Sequence, residues 1–280
     1  MSTDTKKVPA AAGENGERRL NMIEAINEAL DIKMSEDPDV IVMGEDVGYF
    51  GGVFRATAGL QEKHGKNRVF DTPISECGII GAAVGMGAYG LRPVPEIQFR
   101  KYADAGTEQL NNCGTIRWRT NNAFAAPIVV RMPVGHSLRC GDPWHSVSGE
   151  SIWTHQVGWR VVMPSNTEDA VGLLRTAMRC NDPVMFLEHQ VLLDAVTARR
   201  PYPGDTYAIP FGEAHTVSEG LKLTVVSWGA MVQKCLEAVE SLGVLGFVEI
   251  IDLRTLCPWD EDTVFSSIRK TKRCLIVHED

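Results

Sequence analysis

Two stretches of the sequence concentrate residue types that can exchange protons. The first, Asp71 to Gln98, carries Glu76 directly after Pro73 and Ser75, which are a turn residue and a good helix N-cap. A helix is therefore predicted to begin at Glu76. From Gly78 to Gly90 nearly every side chain is small or aliphatic, which predicts a buried helix whose backbone another element approaches closely. A carboxyl group at the mouth of such a helix could exchange protons near neutrality. The alternative is that Glu76 only caps its own helix.

The second stretch, Pro133 to Glu150, holds two histidines in a segment too irregular for a helix. His145 is the candidate proton carrier and His136 a weaker one. A hydrogen-bonded structural histidine is the alternative. A Ser-His-Asp triad is not indicated because the motif G-x-S-x-G is missing. The spacing of these histidines with Cys140 and Asp142 matches no structural zinc pattern, so no metal site is predicted.

A glycine-rich loop carries two further acids. It follows Val40 to Met43, a short apolar run typical of a buried parallel strand. Ligands gather at the carboxyl ends of strands in open parallel sheets, which makes Glu45 a candidate acid. A surface turn in which Glu45 and Asp46 are solvated agrees equally well with the local sequence.

The order of elements that must position these residues predicts an α/β fold with a mainly parallel sheet over residues 20–195. Prolines and glycines predict a linker over 196–220. Residues 221–280 predict a second α/β unit with three strands, which we expect to be incomplete or completed by another chain. Residues 1–19 are predicted to form a disordered arm.

Composition excludes several classes of protein. The 280 residues are 44% hydrophobic and 23% charged, as in ordinary globular proteins. A net charge of −8 and the lack of a basic stripe argue against nucleic-acid binding, and no apolar run is long enough to span a membrane. Seven scattered cysteines without a C-x-x-C pair indicate an intracellular protein. With no secretory signal or arginine-rich presequence, the predicted location is the cytoplasm, or the mitochondrial matrix if the source is eukaryotic.

A set of motifs carries a resemblance to a known family. G-E-D-V-G, D-T-P-I-S-E-x-G-I, R-P-V-x-E-I-Q-F, H-S-x-S and I-D-L-R-T-L resemble the beta subunit of the decarboxylating component of 2-oxo acid dehydrogenase complexes, of branched-chain, pyruvate or acetoin type. The resemblance runs from about Leu20 to the chain end. It implies a thiamine-diphosphate pyrimidine-binding domain followed by a partial transketolase-like C-terminal α/β domain. The implied activity, shared with an alpha subunit, is decarboxylation of a 2-oxo acid and transfer of the acyl group to a lipoyl group.

The resemblance also implies roles for five residues. Glu76 matches the glutamate that hydrogen-bonds the aminopyrimidine ring and assists its proton chemistry. Phe99 would pack on the pyrimidine, and Tyr102 would line the same pocket. His145 would lie near the thiazolium and act in acyl transfer to the lipoyl group. Glu45 would belong to a polar path that joins paired cofactors across an alpha2beta2 heterotetramer.

Further implications concern partners and ions. The family's diphosphate and magnesium motif, G-D-G followed by an asparagine, is absent from this chain, so the alpha side would supply magnesium. The resemblance allows a potassium site of backbone carbonyls around Ala177 to Asp182, and implies docking on a lipoyl-bearing acyltransferase. Val147 replaces the usual glutamine, and the loop before His145 is altered, which leaves the 2-oxo acid open. The alternatives are an acetoin-cleaving or transketolase-like enzyme and a non-catalytic assembly subunit.

Overall fold

The structure, a computed structural model, describes residues 11–12, 18–137 and 141–280. The elements in the first two thirds of the chain are β1 (Ala11–Ala12), β2 (Arg18–Leu20), α1 (Met22–Glu36), β3 (Val40–Gly44), α2 (Leu60–His64), β4 (Val69–Asp71), α3 (Glu76–Tyr89), β5 (Arg92–Glu96), a 3-10 helix (Arg100–Gly106), α4 (Thr107–Arg119), β6 (Val129–Val134), α5 (Glu150–Thr154), β7 (Arg160–Val162), α6 (Thr167–Arg179), β8 (Val184–His189), two further 3-10 turns (Gln190–Leu192 and Val196–Ala198) and β9 (Arg200–Pro201). The remaining elements are β10 (His215–Ser218), β11 (Gly220–Ser227), α7 (Ala230–Ser241), β12 (Gly246–Asp252), β13 (Thr255–Cys257), α8 (Glu261–Thr271) and β14 (Cys274–Val277).

A mainly parallel sheet of seven strands forms the larger part of the fold. Its order is β13-β7-β8-β6-β5-β3-β4, and every neighbouring pair is parallel except β13 with β7. Strand β3 is buried along its whole length, as expected where helices cover both faces of a sheet. The predicted parallel α/β fold is confirmed.

Helices cover both faces of this sheet. On one face α1 and α6 lie over a core that includes Leu30 and Phe186. Helix α1 begins with a capping box in which the side chains of Asn21 and Glu24 each accept from the other residue's backbone N–H. On the other face α3 and α4 pack over Met132 and its neighbours. The two layers leave the carboxyl edge of the sheet open for a site.

A second sheet of four strands follows, in the order β10-β12-β11-β14. Strands β12, β11 and β14 are parallel, and β10 is an antiparallel edge strand. Helix α7 packs on one face through Cys235 and Val239. On the other face the Thr224 hydroxyl lies 2.6 and 2.7 Å from hydroxyl groups of α8. The three predicted strands are present, and β10 is an additional one.

The two sheets are joined through β13, which leaves the second unit and pairs with β7. Beside this crossing lies a buried polar cluster, which we call the joining cluster: Ser165, Asp169, Asp252 and Arg254. The Asp252 carboxylate accepts hydrogen bonds from the Ser165 hydroxyl and from the Arg254 N–H, and the Arg254 guanidinium reaches Asp169 at 3.1 Å. Burial, and then the charge of Asp169, raise the pKa of Asp252 to about 8. The Asp252 carboxyl can therefore gain or lose its proton near neutral pH, which changes the charge of the joining cluster.

The predictions for the arm and the linker need revision. Most of residues 1–19 lie outside the described residues, but β1 pairs with β2, and β2 pairs with β9. Those residues of the arm are therefore strands, because the backbone of β2 pairs with β9 in the stretch that follows residue 196, and β1 pairs with β2. The stretch predicted as a linker, 196–220, contributes β9 and β10.

The prediction that the helix after Ser75 is buried all round is wrong for this chain alone. Helix α3 buries Ile79, Ile80, Ala83 and Gly87 against the sheet. The opposite face, which includes Gly78 and Gly85, is exposed. A Cβ atom added at Gly85 would meet nothing within 4 Å, so packing within the chain does not require glycine there.

Candidate active site

Four neighbouring strands, in the order β6-β5-β3-β4, lead to the predicted site residues. Glu45 follows β3, Glu76 follows β4 after a short turn, and Phe99 and Tyr102 follow β5. His145 lies in the segment after β6. Because the carboxyl ends of parallel strands meet at one edge of a sheet, the fold brings all five residues to the same edge.

The carboxyl groups of Glu45 and Glu76 lie close enough for their charges to interact. Both residues are half-buried, and α3 begins at Glu76 as predicted, with the Ser75 hydroxyl accepting from the Gly78 N–H at 3.3 Å. Burial raises the pKa of Glu45, and the charges of Glu76 and Asp46 raise it further. Glu45, with its raised pKa, can deliver or receive a proton at this edge, where Glu76 also lies.

The glycine-rich loop after β3 is shaped by a buried charge group beneath it. Arg131 on β6 lies 2.9 Å from Glu96 on β5 and 2.7 Å from Glu188 on β8. Gly52 has φ +81°, and a Cβ there would lie 2.8 Å from Oε1 of Glu96. The loop can approach this charge group only because position 52 has no side chain.

Burial also acts on the charge group itself. Burial raises the pKa of Glu188 to about 7, against the opposing effect of Arg131. The sequence analysis missed this group. Its signal in the sequence is an acidic or basic residue next to apolar residues in each of the three strands β5, β6 and β8, because a fully buried charge needs a partner on a neighbouring strand.

Aromatic rings surround His145 on the other side of the edge. The ring of Phe99 lies 4.5 Å from that of His145 at nearly a right angle, and the ring of Tyr102 lies 5.7 Å from it. Phe54, which the sequence analysis did not single out, packs edge-on against Phe99 at 5.7 Å. Phe54, Phe99 and Tyr102 are half-buried and offer an apolar surface suited to a flat aromatic ligand.

Hydrogen bonds hold the His145 ring on both sides. Its Nε2 lies 2.8 Å from the Tyr102 hydroxyl, and its Nδ1 lies 2.8 and 2.9 Å from the two carboxylate oxygens of Asp142. The side chain of Gln190 donates to the carbonyls of both His145 and Gly135, which fixes the backbone of this segment. The orientation of His145 is therefore determined by three surrounding segments.

A glycine allows the 3-10 helix that carries Tyr102 to lie against the first turn of α3. A Cβ at Gly106 would lie 2.4 Å from Cδ1 of Ile80 and 3.4 Å from the carbonyl of Glu76. A side chain at position 106 would therefore require the Ile80 side chain to move. The close approach places the segment of Tyr102 beside the turn of Glu76.

The structure adds Asp142 to the residues around His145. In the sequence its position was weighed only as part of a metal-ligand pattern, although an acid three residues before a loop histidine can reach its ring. Within residues 11–12, 18–137 and 141–280, no group of three or more His, Cys, Asp or Glu side chains is placed to hold a metal ion. Cys140, one member of that pattern, lies outside these ranges.

Known protein families match most of this chain. The family model "Transketolase, pyrimidine binding domain" matches residues 18–195, and "Transketolase, C-terminal domain" matches residues 212–280. The 2-oxoisovalerate dehydrogenase subunit beta of Pseudomonas aeruginosa is 46% identical over 275 residues, which cover 93% of this chain and 78% of the relative. The chain belongs to the 2-oxo acid dehydrogenase beta-subunit family. Another member, the pyruvate dehydrogenase E1 component subunit beta of Acholeplasma laidlawii, is 43% identical over 93% of this chain and 79% of its own length.

A solved structure shares the fold of this chain. A split-gene transketolase, described as an inactive beta4 tetramer, superposes with a TM-score of 0.74 at 20% identity, over 93% of this chain and 79% of that one. The predicted family and transketolase-like fold are thus confirmed. For this member of the beta-subunit family, the roles of the five site residues stay predictions. None of the helices that the structure describes combines the length and apolar character needed to cross a membrane.

Proposed function

We propose that this chain is a beta-type subunit which, with an alpha subunit, decarboxylates a 2-oxo acid on thiamine diphosphate and passes the acyl group to a lipoyl group. One observation carries this proposal. Four adjacent parallel strands place a carboxyl pair, Glu45 and Glu76, at the same edge as the aromatic cluster around His145. An acid pair beside an apolar aromatic surface suits a ring that must be held and must exchange protons.

The residues at this edge fit the pyrimidine half of thiamine diphosphate. The Glu76 carboxyl, half-buried in the first turn of α3, would hydrogen-bond the ring, and the half-buried Phe99 would pack on its face. Thiamine diphosphate, when bound, supplies the electron sink that decarboxylation of a 2-oxo acid requires. Glu45, whose pKa burial and Glu76 raise, would keep a proton available to Glu76.

His145 and Tyr102 would serve the acyl-transfer half of the reaction. The His145 side chain is about one third exposed, at 32%, so an incoming lipoyl group can reach it. Its Nε2 lies 2.8 Å from the Tyr102 hydroxyl and can accept or return a proton there. The acceptor in this proposal is the lipoyl group of an acyltransferase partner.

The exposed face of α3 supports an alpha subunit as partner. Gly78, Gly81 and Gly85 lie at spacings of three and four along the helix, and Gly85 has open space around it. Glycines in a helix cost about 1 kcal/mol each relative to alanine, a cost that a close backbone approach by another helix offsets. Nearby, the glycine-rich loop exposes Tyr49 and Phe50. The alpha subunit would cover this surface, complete an alpha2beta2 assembly and hold the diphosphate with its magnesium.

The potassium site around residues 177–182 stays a prediction. In the structure the carbonyls of Met178 and Cys180 accept hydrogen bonds from the Arg92 guanidinium at 3.4 and 3.0 Å. These two oxygens already face a cation, so an added ion would have to use other carbonyls of the stretch. The cytoplasmic location also stays a prediction.

The proposal is tested by assembling the chain with a cognate alpha subunit. Decarboxylation of pyruvate and of 2-oxoisovalerate would be followed with an artificial electron acceptor, together with acetoin cleavage and ketol transfer. Turnover of a 2-oxo acid supports the proposal. Activity confined to acetoin or ketol transfer would favour the alternative enzymes, and an assembled but silent complex would favour a non-catalytic assembly subunit.

A further inference from the structure

Asp142 combines two kinds of contact in one short turn. Its Oδ1 accepts from the backbone N–H of Trp144 at 2.8 Å and of His145 at 3.3 Å. Both carboxylate oxygens also lie within 2.9 Å of Nδ1 of the His145 ring. The backbone N–H of Trp144, and next the His145 ring, lower the pKa of Asp142, so this side chain is an anion at neutral pH.

An ionised carboxylate can only accept hydrogen bonds. Nδ1 of His145 must therefore carry a proton wherever it bonds to Asp142. In a neutral imidazole the other nitrogen, Nε2, is then the acceptor, and the Tyr102 hydroxyl 2.8 Å away donates to it. The contacts on both sides of the ring therefore favour the same tautomer, in which Nδ1 carries the proton.

We propose that Asp142 is a positioning residue that holds His145 as the Nδ1–H tautomer, so that Nε2, which faces the Tyr102 hydroxyl, is the nitrogen that takes up a proton at the site. The catalytic part of this inference rests on the role proposed above for His145. The tautomer itself does not, because it follows from contacts within this chain.

The other charged groups near the ring approach it less directly. On the 3-10 helix, Lys101 lies over the Trp144 ring at 5.7 Å and pairs with Asp104, and Arg100 also pairs with Asp104. From the segment after β8, Gln190 bonds the His145 carbonyl, while His189 bonds Glu279. Within the part of the chain that the structure describes, the imidazole nitrogens of His145 are in contact with Asp142 and Tyr102.

Nitrogen-15 NMR of the histidine rings in the full chain tests the tautomer without any cofactor. The His145 signals are identified by their loss in His145→Gln. We expect wild-type His145 to show a protonated Nδ1 and an unprotonated Nε2. In Asp142→Asn the amide oxygen can keep the backbone hydrogen bonds, which leaves an N–H donor facing Nδ1 and favours the Nε2–H tautomer.

Two further variants separate positioning from general effects on the loop. Asp142→Ser keeps an oxygen for the backbone N–H groups but removes the carboxylate, so it should also lose the Nδ1–H signal. Asp104→Asn removes a neighbouring acid that does not contact the ring, and should leave the signal unchanged. An unchanged tautomer in both Asp142 variants, or an equal change in Asp104→Asn, overturns the proposal.

The assembled complex provides the kinetic readout. Asp142→Asn should lower kcat for lipoyl acylation on the order of tenfold, less than the ~10⁴ seen when a buried triad aspartate is replaced, because Asp142 is half exposed. Decarboxylation with the artificial acceptor should stay near the wild-type rate. If the tautomer changes while acylation does not, Asp142 still positions His145, and it is the proposed catalytic role of His145 that fails.

Discussion

The hydroxyl of Tyr102 lies 2.8 Å from Nε2 of His145, and this bond joins the segment after β5 to the segment after β6. The two residues are separated by 43 positions in the sequence. Their meeting depends on the register of the adjacent strands β5 and β6, which pair through Glu96 and Arg131. The geometry of the site therefore depends on the pairing of the strands, and neither loop alone determines it.

Replacing His145 by alanine should separate the two halves of the reaction. General acid–base groups contribute about 10²- to 10⁴-fold, so lipoyl acylation should fall by about 10²-fold or more, while decarboxylation with an artificial acceptor stays near wild type. Tyr102→Phe, which loses only the hydroxyl, should show a smaller loss in the same step. The rates of decarboxylation and of lipoyl acylation are measured in separate assays for each variant. Acylation at the wild-type rate in His145→Ala would refute the assignment.

Gly52→Ala should be more destabilising than its neighbour Gly59→Ala. Both glycines have φ near +80°, which costs an alanine roughly 1–2 kcal/mol. At Gly52 the added Cβ also meets the buried Glu96 carboxylate, whereas at Gly59 nothing lies within 4 Å. Overpacking adds about 1–3 kcal/mol. Chemical denaturation of the two variants measures the difference, and equal losses would show that the Gly52 contact is unimportant.

Gly85→Ala should stabilise the chain alone and weaken its assembly with the alpha subunit. Alanine in an exposed helix interior gains about 1 kcal/mol over glycine, and the Cβ meets no atom of this chain within 4 Å. If a partner backbone packs there, the same Cβ obstructs it, and Gly85→Leu obstructs it more. Chemical denaturation of the chain alone measures its stability. Sedimentation of the chain mixed with the alpha subunit measures their assembly. Unimpaired assembly of Gly85→Leu would place the alpha subunit elsewhere.

Asp252→Asn should change how stability depends on pH. Burial and the charge of Asp169 raise the pKa of Asp252 to about 8 from an ordinary 3.8. The stabilising effect of the protonated carboxyl is therefore complete below about pH 4 and is lost as the pH rises through 8. Asparagine cannot ionise, so the free energy of unfolding of the variant should rise relative to wild type between pH 5 and 8.

Denaturation at several pH values checks this trend. Asp262→Asn, an exposed acid on α8, serves as the control for loss of one charge. A flat difference between Asp252→Asn and wild type across this range would mean that Asp252 stays ionised in the joining cluster.

Much of the fold follows from local patterns. The start of α3 at Glu76 depends on Ser75, a cap that acts within one turn, and α6 (Thr167–Arg179) occupies the predicted residues because Asn166 caps it and apolar residues line one face. The short strand β13 could not be predicted in this way. It is held by pairing with β7 about 90 residues earlier, and three residues carry little periodicity of their own.

The candidate site, like the fold, could be predicted from the sequence only in part. The acids and His145 stand out by residue type and by their place after apolar strands. The partners that orient them do not, because Gln190 and Phe54 meet the site only after the strands are in register. The exposed face of α3 was misjudged because an apolar helix looks alike in sequence whether its own chain or a partner covers it.

The central claim is that the Glu76 carboxyl serves the proton chemistry of decarboxylation, and Glu76→Gln in the assembled complex tests it most directly. Glutamine keeps the size and hydrogen bonding of the side chain but cannot exchange a proton. With assembly verified by sedimentation, and with Glu108→Gln on α4 as a matched control, the rate of 2-oxo acid decarboxylation is measured. The account predicts a loss of about 10²-fold or more for Glu76→Gln and none for the control. A wild-type rate in Glu76→Gln would contradict it.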